Sequence, residues 1–356
     1  MSIVFAIIAF CVIIIVHEIG HYSAAKLFKM KVYEFSIGMG PRILKKQKGE
    51  TLYSIKAFPI GGSVMLGEDI EPTEDPRDFR NKPIWQRMIV IAAGAILNFV
   101  LGFVLCIVMS IVNPIGTMTV ASFNEGSVSN TGTSALQVND QIVSVNGMRT
   151  FIYSDISYKL LNSVSKGDDE NFAVYEFEVI RNGEKVKLPN VKFAAEPNER
   201  GGMSYVHDFK IFRAEKNVFS VISYSFRSAV SQGRIIWLSL MDLIRGTYGL
   251  NELSGPIGIV ATIDEIAKQA PTFGEQMMVF ISISAFISIN VGVLNLLPIP
   301  ALDGARLIFF VIEAIRRKPL KAEVEGVIHF VGFALLMLLM LVVTFNDIRK
   351  LIFGDG

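Results

Sequence analysis

From Ile3 to Val16 the chain carries no charged side chain, and the run closes on Val16-His17-Glu18-Ile19-Gly20-His21. Extended to Phe28, such a stretch has few outcomes besides a helix held in a membrane or a deep core. In a helix His17 and His21, at i and i+4, share a face, and Glu18 one residue along can reach a water held between them. Ionisable groups inside an apolar segment of membrane length are costly and mark function. A chance His-Glu-x-x-His match at a solvated helix end is the plainer reading, and the apolar run weighs against it.

The chain has 356 residues, 51% hydrophobic and only 19% charged, with a mean hydropathy of +0.46. That is too apolar for a soluble protein of this size and calls for several membrane spans plus a polar domain. A formal charge of +1 implies no nucleic-acid partner. Cys11 and Cys106 both sit in apolar runs, where they read as small buried residues rather than disulfide partners or metal ligands. The first run lacks a basic n-region and a small-residue cleavage site, so it is expected to be a retained span.

In order along the chain, residues 1–30 read as the first transmembrane helix and residues 31–67 as a β-hairpin, with strands near Val32 to Lys46 and Thr51 to Leu66 turning at Lys48-Gly49-Glu50. Residues 68–87 form an acidic loop carrying Glu68, Asp69, Glu71, Glu74, Asp75 and Asp78. A second span, residues 88–113, is introduced by Lys82, Trp85 and Arg87 as interfacial anchors. Its Ala92-Ala93-Gly94-Ala95 allows close helix packing, and Asn98, one turn on, is either a polar tie between helices or part of a site lining.

Residues 114–196 are polar and β-rich. Strands are expected at Met118 to Phe123 and Gln141 to Val145, a helix at Asp155 to Val164, and a hairpin around Arg181-Asn182-Gly183. Ser134 to Gly147 resembles the core of a PDZ domain, a module that binds peptides by strand addition. Residues 197–276 read as linker and amphipathic helices: Phe219, Ile222, Phe226, Val230 and Trp237 recur at helical spacing opposite Arg227, Ser231 and Arg234, which suits a helix on a membrane surface better than a span. Residues 277–315 hold a third span and then Leu297-Pro298-Ile299-Pro300-Ala301-Leu302-Asp303-Gly304, whose two prolines break the helix. Irregular backbone at membrane depth belongs inside protein or beside a water-filled cavity. A basic loop, residues 316–326, precedes the fourth span, residues 327–350.

Basic residues cluster at Lys26, Lys29 and Lys31, at Arg77 to Arg87 and at Arg316 to Lys321. The positive-inside tendency places these loops in the cytoplasm, and both termini and the insert outside. Spans one and three then run in the same direction, so His17, His21 and Asp303 are expected at one depth.

His17-Glu18-Ile19-Gly20-His21, the PDZ-like insert and Asn295-Leu296-Leu297-Pro298-Ile299-Pro300-Ala301-Leu302-Asp303-Gly304 together resemble the site-2 protease family of intramembrane zinc metalloproteases, in its shorter bacterial form with one PDZ domain. The resemblance covers essentially the whole chain. Gly94-Ala95 stands where the bacterial pattern has Gly-Pro, and Ala305-Arg306 where it has a second glycine. It implies a polytopic α-helical membrane protein with four transmembrane helices, a membrane-associated β-hairpin and one inserted extracytoplasmic PDZ-like α/β domain, in a bacterial plasma membrane with the active site toward the cytoplasm. His17, His21 and Asp303 are then the Zn2+ ligands and Glu18 the general base. Asn290 and Asn295 are implied to hold substrate backbone, with Asn98 a third candidate near them. The implied substrates are single-span membrane proteins, such as an anti-sigma factor, or signal-peptide remnants, with a peptide C-terminus as a partner of the PDZ-like domain. The alternative is a catalytically inactive membrane scaffold that binds through that domain. His207 and His329 read as structural.

Overall fold

The computed structural model describes residues 2–67, 74–162, 172–197, 203–205, 207–246 and 255–353. They form two compact units, Met1–Leu105 with Ser239–Gly354, and Cys106–Leu238.

The first unit opens with helix α1 (Ser2–Leu27). The expected hairpin follows as β1 (Glu34–Lys48) and β2 (Thr51–Met65), reversed at Gly49, whose φ of +62° suits glycine. The sheet is more folded than a simple hairpin, because Glu34–Ile37 lies between two stretches of β2, Leu52 to Ile55 on one side and Gly62 to Met65 on the other. One buried carboxylate ties these layers: Glu34 accepts from Arg42 at 2.9 and 2.7 Å and from Ser54 at 2.6 Å. The Arg42 guanidinium pushes the Glu34 carboxyl down to about 2 against the opposing effect of burial. Of the expected acidic loop, Glu68 to Thr73 lie outside the described residues; the rest carries a 3-10 turn at Phe79–Asn81. Helix α2 (Ile84–Val112) begins one turn before the expected start of span two.

The second unit contains β3 (Gly116–Phe123), β4 (Gln141–Val145), β5 (Met148–Arg149), α3 (Tyr153–Asn162), β6 (Phe172–Arg181), β7 (Glu184–Pro197), β8 (Met203–Tyr205), β9 (Phe209–Arg213) and most of α4 (Val218–Ile244). The sheet order is β8-β7-β6-β4-β3-β9, with β5 on β4. Alternate residues of β6 and β7, Tyr175, Phe177, Val179, Val191 and Phe193, pack with Ile142, Val145, Ile156 and Leu160 into one apolar core. Met203–Tyr205 and Phe209–Arg213 fall in the stretch expected as linker, but they pair as strands with β7 and β3 and complete the sheet. The signal was weak because each strand is short and β9 pairs with a partner some ninety positions earlier. Asp155, fully buried, caps α3 by accepting from Phe151 N and Ile152 N and also bonds Ser231 and Arg234 of α4. The polar side of α4 is thus committed to this contact, while Phe219, Ile222, Phe226 and Trp237 stay exposed.

The chain returns to the first unit with α5 (Pro256–Gln269), α6 (Phe273–Asn295), α7 (Asp303–Arg316) and α8 (Ala322–Phe353). Helix α6 starts four residues before the expected span because Thr272 and Glu275 form a reciprocal capping box. Asp347 of α8 accepts from the amides of Gly255 and Gly258 and so fixes the start of α5. Among the described residues four helices are long and apolar enough to cross a membrane, α1, α2, α6 and α8, and α4 is not one of them.

Candidate active site

Helix α1 sets His17 and His21 one turn apart, and α7 delivers Asp303 as its first residue. His17 Nε2 and His21 Nε2 are 3.1 Å apart, and each faces Asp303 Oδ2, at 3.1 and 3.3 Å. Tetrahedral ligand atoms bonded to zinc at roughly 2.0–2.1 Å stand about 3.3 Å from one another, so these edges fit. Two further observations agree. Asp303 Oδ2 is buried with no hydrogen-bond partner among the described residues. His21 Nδ1 must donate its proton to Val90 O, 2.8 Å away, which leaves the Nε2 lone pair aimed at the other two ligand atoms. Two imidazoles and a carboxylate give three protein ligands and leave one position for a reactant.

Asp303 is presented by a broken helix. After α6 the chain turns through Ile299 N to Leu297 O and Leu302 N to Ile299 O, and Ala301 takes a φ of +76°, unusual for a side chain with a Cβ. His329 of α8 accepts the Ala301 N–H at 3.0 Å. The structural role expected for His329 is therefore specific: it braces the residue two before Asp303.

Around these three side chains lies a cavity of about 210 Å³ lined by His17, Glu18, His21, Gly62 to Leu66, Ile91, Asp303 and Arg306. One wall is the last stretch of β2. The backbone of Val64 hydrogen-bonds the Glu18 carboxyl, and a Cβ on Gly62 would stand 2.8 Å from Glu18 Cγ. Glu18 is thus held on a strand edge, close to His17 and His21.

The profile of peptidase family M50 matches residues 5–339. The chain belongs to this family. It is similar to the regulator of sigma-W protease RasP of Bacillus subtilis, 30% identical over 432 aligned residues that take in 97% of each chain. It is 31% identical to the zinc metalloprotease RasP of Shouchella clausii, covering 99% of this chain and all of that one. A third relative, the zinc metalloprotease RasP of Geobacillus kaustophilus, is 30% identical over 98% of both. This M50 peptidase is a bacterial membrane zinc metalloendopeptidase.

The remaining predicted residues separate into two kinds. Asn290 and Asn295 are half-buried on α6, outside the cavity lining, and their side chains make no hydrogen bond among the described residues. Asn98 is fully buried on α2, and its amide nitrogen stands 3.4 Å from His17 Nδ1 while Ser288 of α6 donates to its backbone carbonyl at 2.8 Å. It faces His17 rather than the cavity. Sequence reasoning missed Val64, whose backbone touches Glu18, and Arg306, which lines the cavity.

Proposed function

We propose that this M50 peptidase hydrolyses peptide bonds within the transmembrane segments of single-span proteins, with His17, His21 and Asp303 as zinc ligands and Glu18 as general base. One observation carries the reading: three converging ligand atoms and an adjacent carboxylate lie on or beside helices apolar enough to cross a membrane. Zinc bound there supplies Lewis acidity to a water and to the scissile carbonyl. Glu18 takes the proton from the attacking water and hands it to the departing amine, with the Val64 backbone holding the carboxylate in place. The neighbouring strand edge from Gly62 to Met65 offers main-chain groups to an unwound substrate, which strand addition would keep extended. Half-buried Asn290 and Asn295 on α6 hold the backbone further along.

The name of the Bacillus subtilis relative, regulator of sigma-W protease, supports a membrane-held transcription regulator, such as an anti-sigma factor, as the substrate class, with signal-peptide remnants as the second. The basic loops support an active site toward the cytoplasm and the insert, read as a PDZ-like domain, outside, where it binds a peptide end or filters by size. The exposed apolar stripe of α4 rests on the outer membrane surface.

The test is cleavage of a single-span reporter by the purified chain, with zinc measured in parallel. Glu18→Gln is expected to lose cleavage while retaining zinc, and Asp303→Ala to lose both. Unchanged cleavage by Glu18→Gln, or full metal occupancy in the Asp303 variant, overturns the assignment.

A further inference from the structure

Helix α2 runs behind both histidines. Val90, Gly94 and Asn98, spaced four residues apart, share one face of it. Val90 O accepts the Nδ1 proton of His21. Gly94 packs so closely that a Cβ there would lie 2.5 Å from His21 Nε2 and 2.7 Å from His17 Cε1. One turn on, the Asn98 amide meets His17 Nδ1. Each of the two histidines therefore has its back nitrogen facing a polar group of the same helix.

The two contacts differ in one respect. A carbonyl can only accept, so Val90 fixes the His21 proton on Nδ1. An amide can donate from nitrogen or accept through oxygen. With Nδ2 toward His17, the ring proton would have to sit on Nε2, the atom that faces Asp303 and must carry a lone pair to hold a metal. Asn98 Oδ1 is at the same time buried with no partner among the described residues. A half-turn about the terminal torsion exchanges the two ends within the same space. Oδ1 then accepts from His17 Nδ1–H, which provides the missing partner and leaves Nε2 free to ligate.

We propose that Asn98 is a positioning residue: its side-chain oxygen accepts the Nδ1 proton of His17 and so sets the tautomer and ring orientation that zinc requires. It does for His17 what the Val90 carbonyl does for His21. Its burial separates it from residues that touch substrate.

The inference rests on His17 being a zinc ligand, and the experiment tests the two separately. Zinc affinity of the full chain in detergent is measured by competition with a chelator for wild type, His17→Ala, Asn98→Leu, Asn98→Asp and Ser288→Ala. Asn98→Leu is expected to weaken zinc binding by about 10–100-fold, the usual loss when the outer partner of a ligating histidine is removed. Asn98→Asp, which can accept but not donate at neutral pH, is expected to stay within about threefold of wild type. Ser288→Ala, which removes the bond to the Asn98 backbone and leaves its side chain, is expected to leave affinity unchanged. Wild-type affinity in Asn98→Leu overturns the proposal, as does a loss in folded Asn98→Asp as large as that in Asn98→Leu. An equal loss in Ser288→Ala overturns it too, by showing that helix packing alone is responsible. If Asn98→Leu does not fold, Asn98→Asp decides alone: retained affinity supports acceptance by Oδ1, and lost affinity refutes it. Undiminished zinc affinity in His17→Ala refutes the ligand assignment itself.

Discussion

Arg87 of α2 and Glu313 of α7 form a two-pronged ion pair, at 3.1 and 2.6 Å, with both side chains largely out of solvent. The Arg87 guanidinium also lies over the Phe310 ring, 4.9 Å from its centre. The pair joins the helix behind the histidines to the helix that carries Asp303. Removing one partner strands the other charge, so Arg87→Leu or Glu313→Leu is expected to cost about 3–5 kcal/mol. The double substitution is expected to recover most of that loss. Unfolding of the four chains in detergent checks this, and additive losses would refute the coupling.

Gly94→Ala adds one methyl group and no charge. Because that methyl would press on both imidazoles, the variant is expected to lose zinc and cleavage as fully as His17→Ala. Zinc content of the purified variant decides, and near-stoichiometric metal would show that α2 can shift to make room.

His329→Leu deprives the half-buried turn at Ala301 of its hydrogen-bond acceptor. The expected cost is about 1–3 kcal/mol of stability, with reduced cleavage as Asp303 loses its fixed approach. His329→Asn, which keeps an acceptor, is expected to fall between wild type and His329→Leu. Comparing kcat for the three chains on one reporter tests the order.

Glu34 gives a pH dependence of known sign. Its carboxyl is held near 2 in the fold against an ordinary 4.5, so the stabilisation it provides is present above about pH 4.5 and is lost as pH falls toward 2. Protection factors of the β1 and β2 amides, corrected for the intrinsic pH dependence of exchange, are expected to fall over that window in wild type. Glu34→Gln should exchange faster at neutral pH and change less on acidification.

The sequence shows those parts of the molecule that depend on near neighbours. His17 and His21 are legible because a helix repeats every 3.6 residues, and the four spans because membrane length leaves little choice of structure. Asp303 is legible from its broken approach and from the parity of the spans. Arg87 reads as an interfacial anchor because its basic charge near a span end is visible and Glu313, more than two hundred residues later, is not marked as its partner. The same holds for β9, whose short run acquires meaning only beside β3. Asn98 shows the finer limit: its place on a helix face is periodic, but which end of an amide meets which nitrogen depends on a neighbouring ring.

All proposed catalytic residues, the ligands and Asn98, Asn290 and Asn295 belong to the unit formed by residues 1–105 and 239–354, while Cys106–Leu238 is spliced into it as one continuous insertion. The insertion can therefore be lengthened or exchanged without touching the segments that carry His17, His21 and Asp303, so the two units are free to diverge at different rates.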